Sequence, residues 1–139
     1  MLVTLSSFDY DGPAARAGFG SSARHLSATS EVIAAERSRF PEVDDVGAIL
    51  GGEVTVSEVP IPMDCVDGFC EAYYARPEAF LDPAVRQSQS SWRFVDPVAA
   101  ERDLGRLREA LASGEWEAEH GHLRTQPRYV GAVRLIVAR

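Results

Sequence analysis

Lysine and asparagine are absent from this sequence of 139 residues, in which all fourteen basic residues are arginine. The absence of lysine excludes a lysine Schiff base and a lysine general base. The formal net charge is −7, and the arginines form no cluster along the sequence. Nucleic acid is therefore not an expected partner, because phosphate binding requires concentrated positive charge.

Long hydrophobic runs are also absent. No apolar run approaches the roughly eighteen residues that a membrane span needs. No basic segment precedes the apolar residues of Met1 to Ser7, as it would in a signal peptide. We therefore expect a cytoplasmic protein with no membrane partner. The hydrophobic share of 45% and the length predict a single globular domain, residues 1–139.

Cysteine is scarce, since Cys65 and Cys70 are the only two. In a chain expected in the cytoplasm, both thiols are predicted to be free rather than bridged. His120 and His122 could bind a metal ion only with donors from elsewhere, such as Glu117. No metal site is predicted, and a Cys–His nucleophile pair has no spacing motif to support it.

Three segments have the pattern of strands: residues 1–7, 53–60 and 132–138. Val54, Val56 and Val59 alternate with polar residues in the second of them, which predicts one buried face. The segments between are predicted to be mainly helical, with helices at Glu31–Arg39, Glu42–Leu50, Asp64–Arg76 and Pro97–Ser113. The pattern predicts an α/β fold with more helix than sheet.

Local signals support several of these boundaries. Asp82 and Asp96 each precede a proline, which predicts an N-cap followed by proline at the first helical position. Asp64 and Asp67 could form an acid/base pair, but at this spacing we interpret them as helix caps. The glycines of the segment GFGSS, residues 18–22, lie too far from a strand for a phosphate loop and are predicted to be plain loop.

Two long segments carry a family resemblance. They are VPIPMDCVDGFCEAYYARPEAFLDPAVR and DPVAAERDLGRLREALASGEWEAEHGHLR, residues 59–86 and 96–124. They resemble the C-terminal half of class I S-adenosylmethionine-dependent methyltransferases, particularly a bacterial subgroup. The resemblance covers essentially the whole chain.

The resemblance implies a partial Rossmann-like fold. Residues 1–7, 53–60 and 132–138 would be its fifth, sixth and seventh strands, forming a small three-stranded mixed sheet whose last strand is antiparallel. Residues 64–124 would form a helical insertion. In such proteins the N-terminal half holds the cofactor through a glycine-rich turn and acidic residues that this sequence does not contain. We therefore predict no cofactor for the isolated chain, and S-adenosylmethionine only if another chain completes it.

Candidate functional residues lie in the helical insertion. No catalytic residue is predicted. The aromatic residues could line a small-molecule pocket, as the insertion does in relatives, or they could simply pack into the core. The predicted substrate-binding residues are Asp64, Cys65, Phe69, Tyr73, Tyr74, Trp92 and His122.

Two classes of function remain open. The chain could be a non-catalytic binding or interaction domain that forms a homodimer. It could instead be the substrate-recognition half of a methyltransferase that another chain completes. In both cases the strand at residues 1–7 is expected to present an edge to its partner, because an unpaired edge invites pairing.

Overall fold

The computed structural model describes residues 3–8 and 30–139 of the chain. Its strands are β1 (Val3–Phe8), β2 (Val54–Glu58), β3 (Ile61–Pro62), β4 (Arg128–Tyr129) and β5 (Val133–Ala138). Its α-helices are α1 (Ser30–Arg39), α2 (Val43–Leu50), α3 (Pro83–Gln87), α4 (Pro97–Ser113) and α5 (Glu115–His120). Short 3-10 helices lie at Cys70–Tyr73, Pro77–Leu81, Ser90–Phe94 and Gly121–Thr125.

Strand β5 lies between β1 and β2 and is antiparallel to both. Val133 is opposite Phe8, and Arg134 is opposite Glu58. The carboxyl ends of β1 and β2 therefore lie at the same edge of the sheet, where β5 begins. The prediction of a mixed sheet was wrong for the described strands, because the central position of β5 makes each pairing antiparallel.

A second, two-stranded sheet was not predicted from the sequence. In it β3 pairs with β4 in antiparallel fashion, with Ile61 opposite Tyr129 and Pro62 opposite Arg128. Each strand has only two residues and contains or adjoins a proline, so neither shows the alternating pattern of a longer strand. This sheet joins the segment after β2 to the segment before β5.

The burial of β2 differs from its sequence pattern. Val54 is half-buried, and Val56 has 45% of its surface exposed. The predicted buried face was wrong, because β2 is an edge strand and α2 packs against β5 and β1 instead. Along β5, in contrast, Arg134 and Ile136 alternate with half-buried residues, as a central strand requires.

Helix α4 follows its sequence signals closely. The Asp96 carboxylate accepts hydrogen bonds from the backbone N–H groups of Val98 and Ala99, at 3.0 and 2.9 Å. Gly114 ends the helix with a φ of +80°, a left-handed conformation that favours glycine. The predicted helix Pro97–Ser113 is confirmed. Asp82 caps α3 in the same way, accepting from Ala84 N–H at 2.8 Å.

The predicted helix at Asp64–Arg76 was wrong. The structure has a turn and bends there, followed by the 3-10 helix Cys70–Tyr73. Asp67 accepts a hydrogen bond from the neighbouring N–H of Gly68 at 2.8 Å, a local bond that competes with helix formation. Gly68 also packs closely on the backbone of Ser88. Asp-Gly is a turn signal, and here it outweighs the capping pattern.

The main core lies among the helical segments and β3–β4. Leu104 and Leu107 of α4 pack against Trp116 of α5 and the aromatic residues of the 70–81 region. Members of this core that are almost fully buried include Val32, Tyr74, Phe80, Leu107 and Trp116. The core includes Cys70, Tyr74 and Phe80, and Val133 at the start of β5 packs against it.

Candidate functional site

A carboxylate lies at the sheet edge where the strands β1 and β2 end. Both oxygens of Glu71 accept hydrogen bonds from the backbone N–H of Ala132, at 2.9 and 3.0 Å. Ala132 precedes Val133, the residue of β5 that is opposite Phe8 at the end of β1. Glu71 therefore connects the Cys70–Tyr73 3-10 helix to the edge of the sheet where β5 begins.

Glu71 belongs to a group of buried polar residues that we call the buried polar junction. Ser91 donates a hydrogen bond to Glu36 at 2.7 Å, and the Cys70 thiol donates one to Gln89 at 3.2 Å. The side chain of Arg134 donates to the carbonyl of Gly131 at 2.8 Å. Each member is at most 5% exposed. The junction consists of Glu36, Cys70, Glu71, Gln89, Ser91 and Arg134.

The environment of the junction changes two pKa values. Burial raises the pKa of Glu71 to about 7; the Ala132 N–H and Arg134 oppose this, and the nearby Glu36 adds to it. Burial, together with Glu36 and Glu71, raises the pKa of the Cys70 thiol well above its ordinary value. Cys70 is therefore a poor nucleophile, because the thiolate is the reactive form. Glu71 can hold or release a proton near neutral pH, but it is enclosed by protein.

The structure brings two of the predicted substrate-binding residues into one row of rings. Tyr73 and Trp92 both contact the buried ring of Phe80, with centroid distances of 5.3 and 6.0 Å. The guanidinium of Arg76 lies 5.0 Å from the centroid of Tyr73. Tyr73 and Trp92 are both half-buried.

Tyr74 lies in a different place. Its ring is buried and stacks on Tyr129 of β4 at a centroid distance of 5.0 Å, and its hydroxyl donates to the carbonyl of Gln126 at 2.5 Å. Burial raises the pKa of this hydroxyl. These contacts give Tyr74 a part in anchoring the second sheet to the core.

The other predicted substrate-binding residues do not converge on one point. Asp64 and His122 are exposed, the latter in the 3-10 helix Gly121–Thr125. Phe69 is half-buried against the core. Cys65 is half-buried, and its carbonyl accepts a hydrogen bond from Arg76 at 2.7 Å. Both cysteines are free thiols, as expected.

Trp92 also borders an open groove that the sequence did not indicate. The groove has a volume of about 560 Å³, and its lining residues are Pro83, Arg86, Gln87, Trp92 and Arg93. Arg86 lies in α3 and Arg93 in the Ser90–Phe94 3-10 helix, and only the fold shows that they share a surface with Trp92. Sequence reasoning missed several residues of these sites, among them Arg86, Arg93 and Glu71.

Within residues 3–8 and 30–139, no three His, Cys, Asp or Glu side chains are grouped so that they could hold a metal ion. His120 instead packs its ring edge-on to Trp116 at 5.9 Å, and burial lowers its pKa. None of the helices in the same described ranges combines the length and apolar character that crossing a membrane demands. The segment GFGSS lies outside the described residues.

The fold has a solved counterpart. The structure superposes on a protein of Anabaena variabilis, described as a candidate methyltransferase from an antibiotic biosynthesis pathway, with a TM-score of 0.78. The chain has a methyltransferase-like fold. The match covers 99% of this chain and 54% of the Anabaena protein at 22% sequence identity, so this chain spans about half of that protein's length. Neither a protein-family model nor a curated protein sequence matches the chain.

Proposed function

We propose that this methyltransferase-like chain is a non-catalytic binding domain that takes a small-molecule ligand and pairs with a second copy through the outer edge of β1. The observation that carries the proposal is the partial match: nearly all of this chain corresponds to about half of the Anabaena protein. The sequence contains no counterpart of the glycine-rich turn by which such folds approach their cofactor. Donor binding by these residues alone is therefore not expected.

The arrangement of β1 supports pairing. Among the described residues, β1 has one strand neighbour, β5, and no strand along its other edge. An edge of this kind exposes backbone N–H and C=O groups that another strand can bind. The six residues of β1, VTLSSF, carry no charge. Strand β2 is the poorer candidate, because it carries Glu58 and is followed closely by Pro60.

Mass in solution tests the pairing. Sedimentation velocity at micromolar concentration should give twice the mass of one chain. Thr4→Lys places a charge in β1 and should shift the protein toward monomer. Thr55→Lys is the matched control on exposed β2 and should leave the dimer intact. A stable wild-type monomer, or equal effects of the two substitutions, would contradict pairing through β1.

Binding of the methyl donor tests the non-catalytic role. Calorimetric titration of the chain alone with S-adenosylmethionine should show no saturable heat. Tight binding by the isolated chain would overturn the proposal, because the necessary residues would then lie within this sequence.

A second function is favoured by the same partial match. The chain could be the substrate-recognition half of a S-adenosylmethionine-dependent methyltransferase, with β1 paired to a chain that supplies the cofactor site. In that case a complementing chain should bind this one in place of the second copy, and methyl transfer should appear only in the mixture. Persistence of the homodimer after such a chain is added would exclude this alternative.

A further inference from the structure

We propose that the groove between α3 and the Ser90–Phe94 3-10 helix binds a flat aromatic molecule that carries one acidic group, a carboxylate or a phosphate. Its volume of about 560 Å³ falls within the range of about 300–1,000 Å³ that is typical of small-molecule sites. The inference rests on the groove's own geometry. It can therefore fail or succeed independently of pairing through β1 and of S-adenosylmethionine binding.

The charges of the groove favour an anion. Its lining includes the guanidinium groups of Arg86 and Arg93 and no carboxylate. Within residues 30–139, neither arginine forms an ion pair with an acidic side chain, whereas Arg102, Arg106 and Arg124 do. The chain as a whole has a net charge of −7. Two guanidinium groups that border one groove and have no acidic partner within residues 30–139 attract an acidic group.

Arg86 is held in place before any ligand arrives. Its Nη1 donates a hydrogen bond to the carbonyl of Phe80, and its guanidinium carbon lies 5.8 Å from the centroid of the Trp92 ring. A guanidinium has five N–H donors, so others remain for a ligand. Holding the side chain in advance reduces the entropy lost on binding. Arg93 is exposed and can adjust to the ligand.

The indole of Trp92 supplies a rigid flat surface. It contacts Phe80, which is fully buried and therefore fixes the position of the indole. The indole Nε1 is buried and has no hydrogen-bond acceptor among the described residues, so within this part of the chain the contacts of the ring itself orient it. The part of Trp92 that borders the groove is available for stacking with an aromatic ligand. An inorganic anion would leave this surface unused.

The experiment uses the full chain and four probes: benzoate, phenyl phosphate, benzamide and inorganic phosphate. The indole N–H signals of Trp92 and Trp116 are followed by NMR, with Trp116 as an internal reference because it is in the core. Benzoate or phenyl phosphate should shift the Trp92 signal in a saturable way, and comparison of the two identifies the acidic group. Benzamide, which lacks the charge, and inorganic phosphate, which lacks the ring, should each bind at least about tenfold more weakly.

Charge-matched variants locate the site. Arg93→Gln should weaken binding of the better acidic probe about tenfold. Arg108→Gln removes the same charge from an exposed position of α4 outside the groove and should leave affinity unchanged. Arg86→Gln should lower affinity further, with circular dichroism to show that it remains folded. Equal binding of benzoate and benzamide, equal losses in the Arg93 and Arg108 variants, or no saturable shift at about 10 mM probe would overturn the proposal.

Discussion

The buried polar junction and the arginine groove share the Ser90–Phe94 3-10 helix but use their polar groups in opposite ways. In the junction, Ser91 donates to Glu36, and nearby Glu71 binds the backbone of β5. In the groove, Trp92 and Arg93 border open space, and Arg93 has no acidic partner among the described residues. Ser91 stabilises the fold and Arg93 is available to bind a ligand, yet only Trp92 lies between them in the sequence.

The difference follows from the cost of burial. A charge or polar group without water must be hydrogen-bonded, and removing its partner costs about 1–3 kcal/mol. Each polar side chain of the junction is therefore tied to a neighbour. An exposed guanidinium keeps its hydration and needs no protein partner. We accordingly expect substitutions in the junction to lower stability and substitution of the exposed Arg93 in the groove to change only binding.

The largest effect is expected for Gly131→Ala. A Cβ at residue 131 would lie 2.5 Å from the Cδ of Glu71, so the carboxylate would have to leave the N–H of Ala132. Overpacking and the lost buried hydrogen bond together should lower the free energy of unfolding by about 4 kcal/mol. Denaturant unfolding of the wild type and the variant measures this loss in the free energy of unfolding.

Gly105→Ala is the control for that substitution. Gly105 is in the interior of α4, and a Cβ there would meet nothing within 4 Å. Because alanine is the better helix former, stability should rise by up to about 1 kcal/mol. If Gly131→Ala lowers the free energy of unfolding by no more than the amount by which Gly105→Ala changes it, the close approach of residue 131 to Glu71 has no structural importance.

The next effect concerns pH. The pKa of Glu71 is about 7 in the folded chain, above its ordinary value of 4.5, so between these values the folded state binds more protons than the unfolded state. The contribution of Glu71 is therefore full below about pH 4.5 and is lost as the pH rises through 7, about 3 kcal/mol in all. Glu71→Gln should remove this part of the pH dependence.

Denaturant unfolding of wild type and Glu71→Gln at pH 5 and pH 8 measures the difference. The remaining acids titrate in both proteins, so only the change in slope between them reports on Glu71. Identical slopes would mean that the carboxyl titrates near its ordinary value and that the junction does not enclose it.

A smaller effect is expected at the start of α4. Asp96→Ala removes the acceptor for the N–H groups of Val98 and Ala99 and should lower stability by about 1 kcal/mol. Asp67→Ala is the control, since Asp67 is exposed and, among the described residues, accepts from Gly68 alone. If both variants lose the same free energy of unfolding, the hydrogen bonds of Asp96 to the start of α4 contribute no more to stability than the local bond of Asp67 in its turn.

Short-range signals explain what could be predicted. The N-cap at Asp96 and the glycine at residue 114 bound α4 because both act through neighbouring backbone groups. The strand at the C-terminus is apolar except for Arg134, and β5 is found there. Where two local signals competed, as at Asp67 and Gly68, the turn replaced the predicted helix.

Long-range contacts explain what could not be predicted. Glu71 was overlooked because an acid between apolar residues gives no sign of the backbone N–H, sixty-one positions away, that it binds. The exposure of β2 depends on which strand α2 covers. Arg86 and Arg93 become a pair only when α3 and the following 3-10 helix form the two sides of the groove. Trp92 was identified from its residue type alone, without its charged neighbours.

The smallest effect on stability is expected in the groove itself. Arg93→Gln should change the free energy of unfolding by less than about 0.5 kcal/mol, because the side chain is exposed and has no ion pair among the described residues. Arg124→Gln is the comparison: Arg124 donates to the carbonyl of Ala75 and to Glu78, both at 3.1 Å, and lies over Trp116. Its loss should cost about 1 kcal/mol, since the site is partly exposed. Thermal unfolding of both variants decides whether Arg93 is dispensable for folding. If Arg93→Gln lowers the free energy of unfolding as much as Arg124→Gln does, Arg93 contributes to the stability of the fold. The contrast between the groove and the junction would then no longer hold.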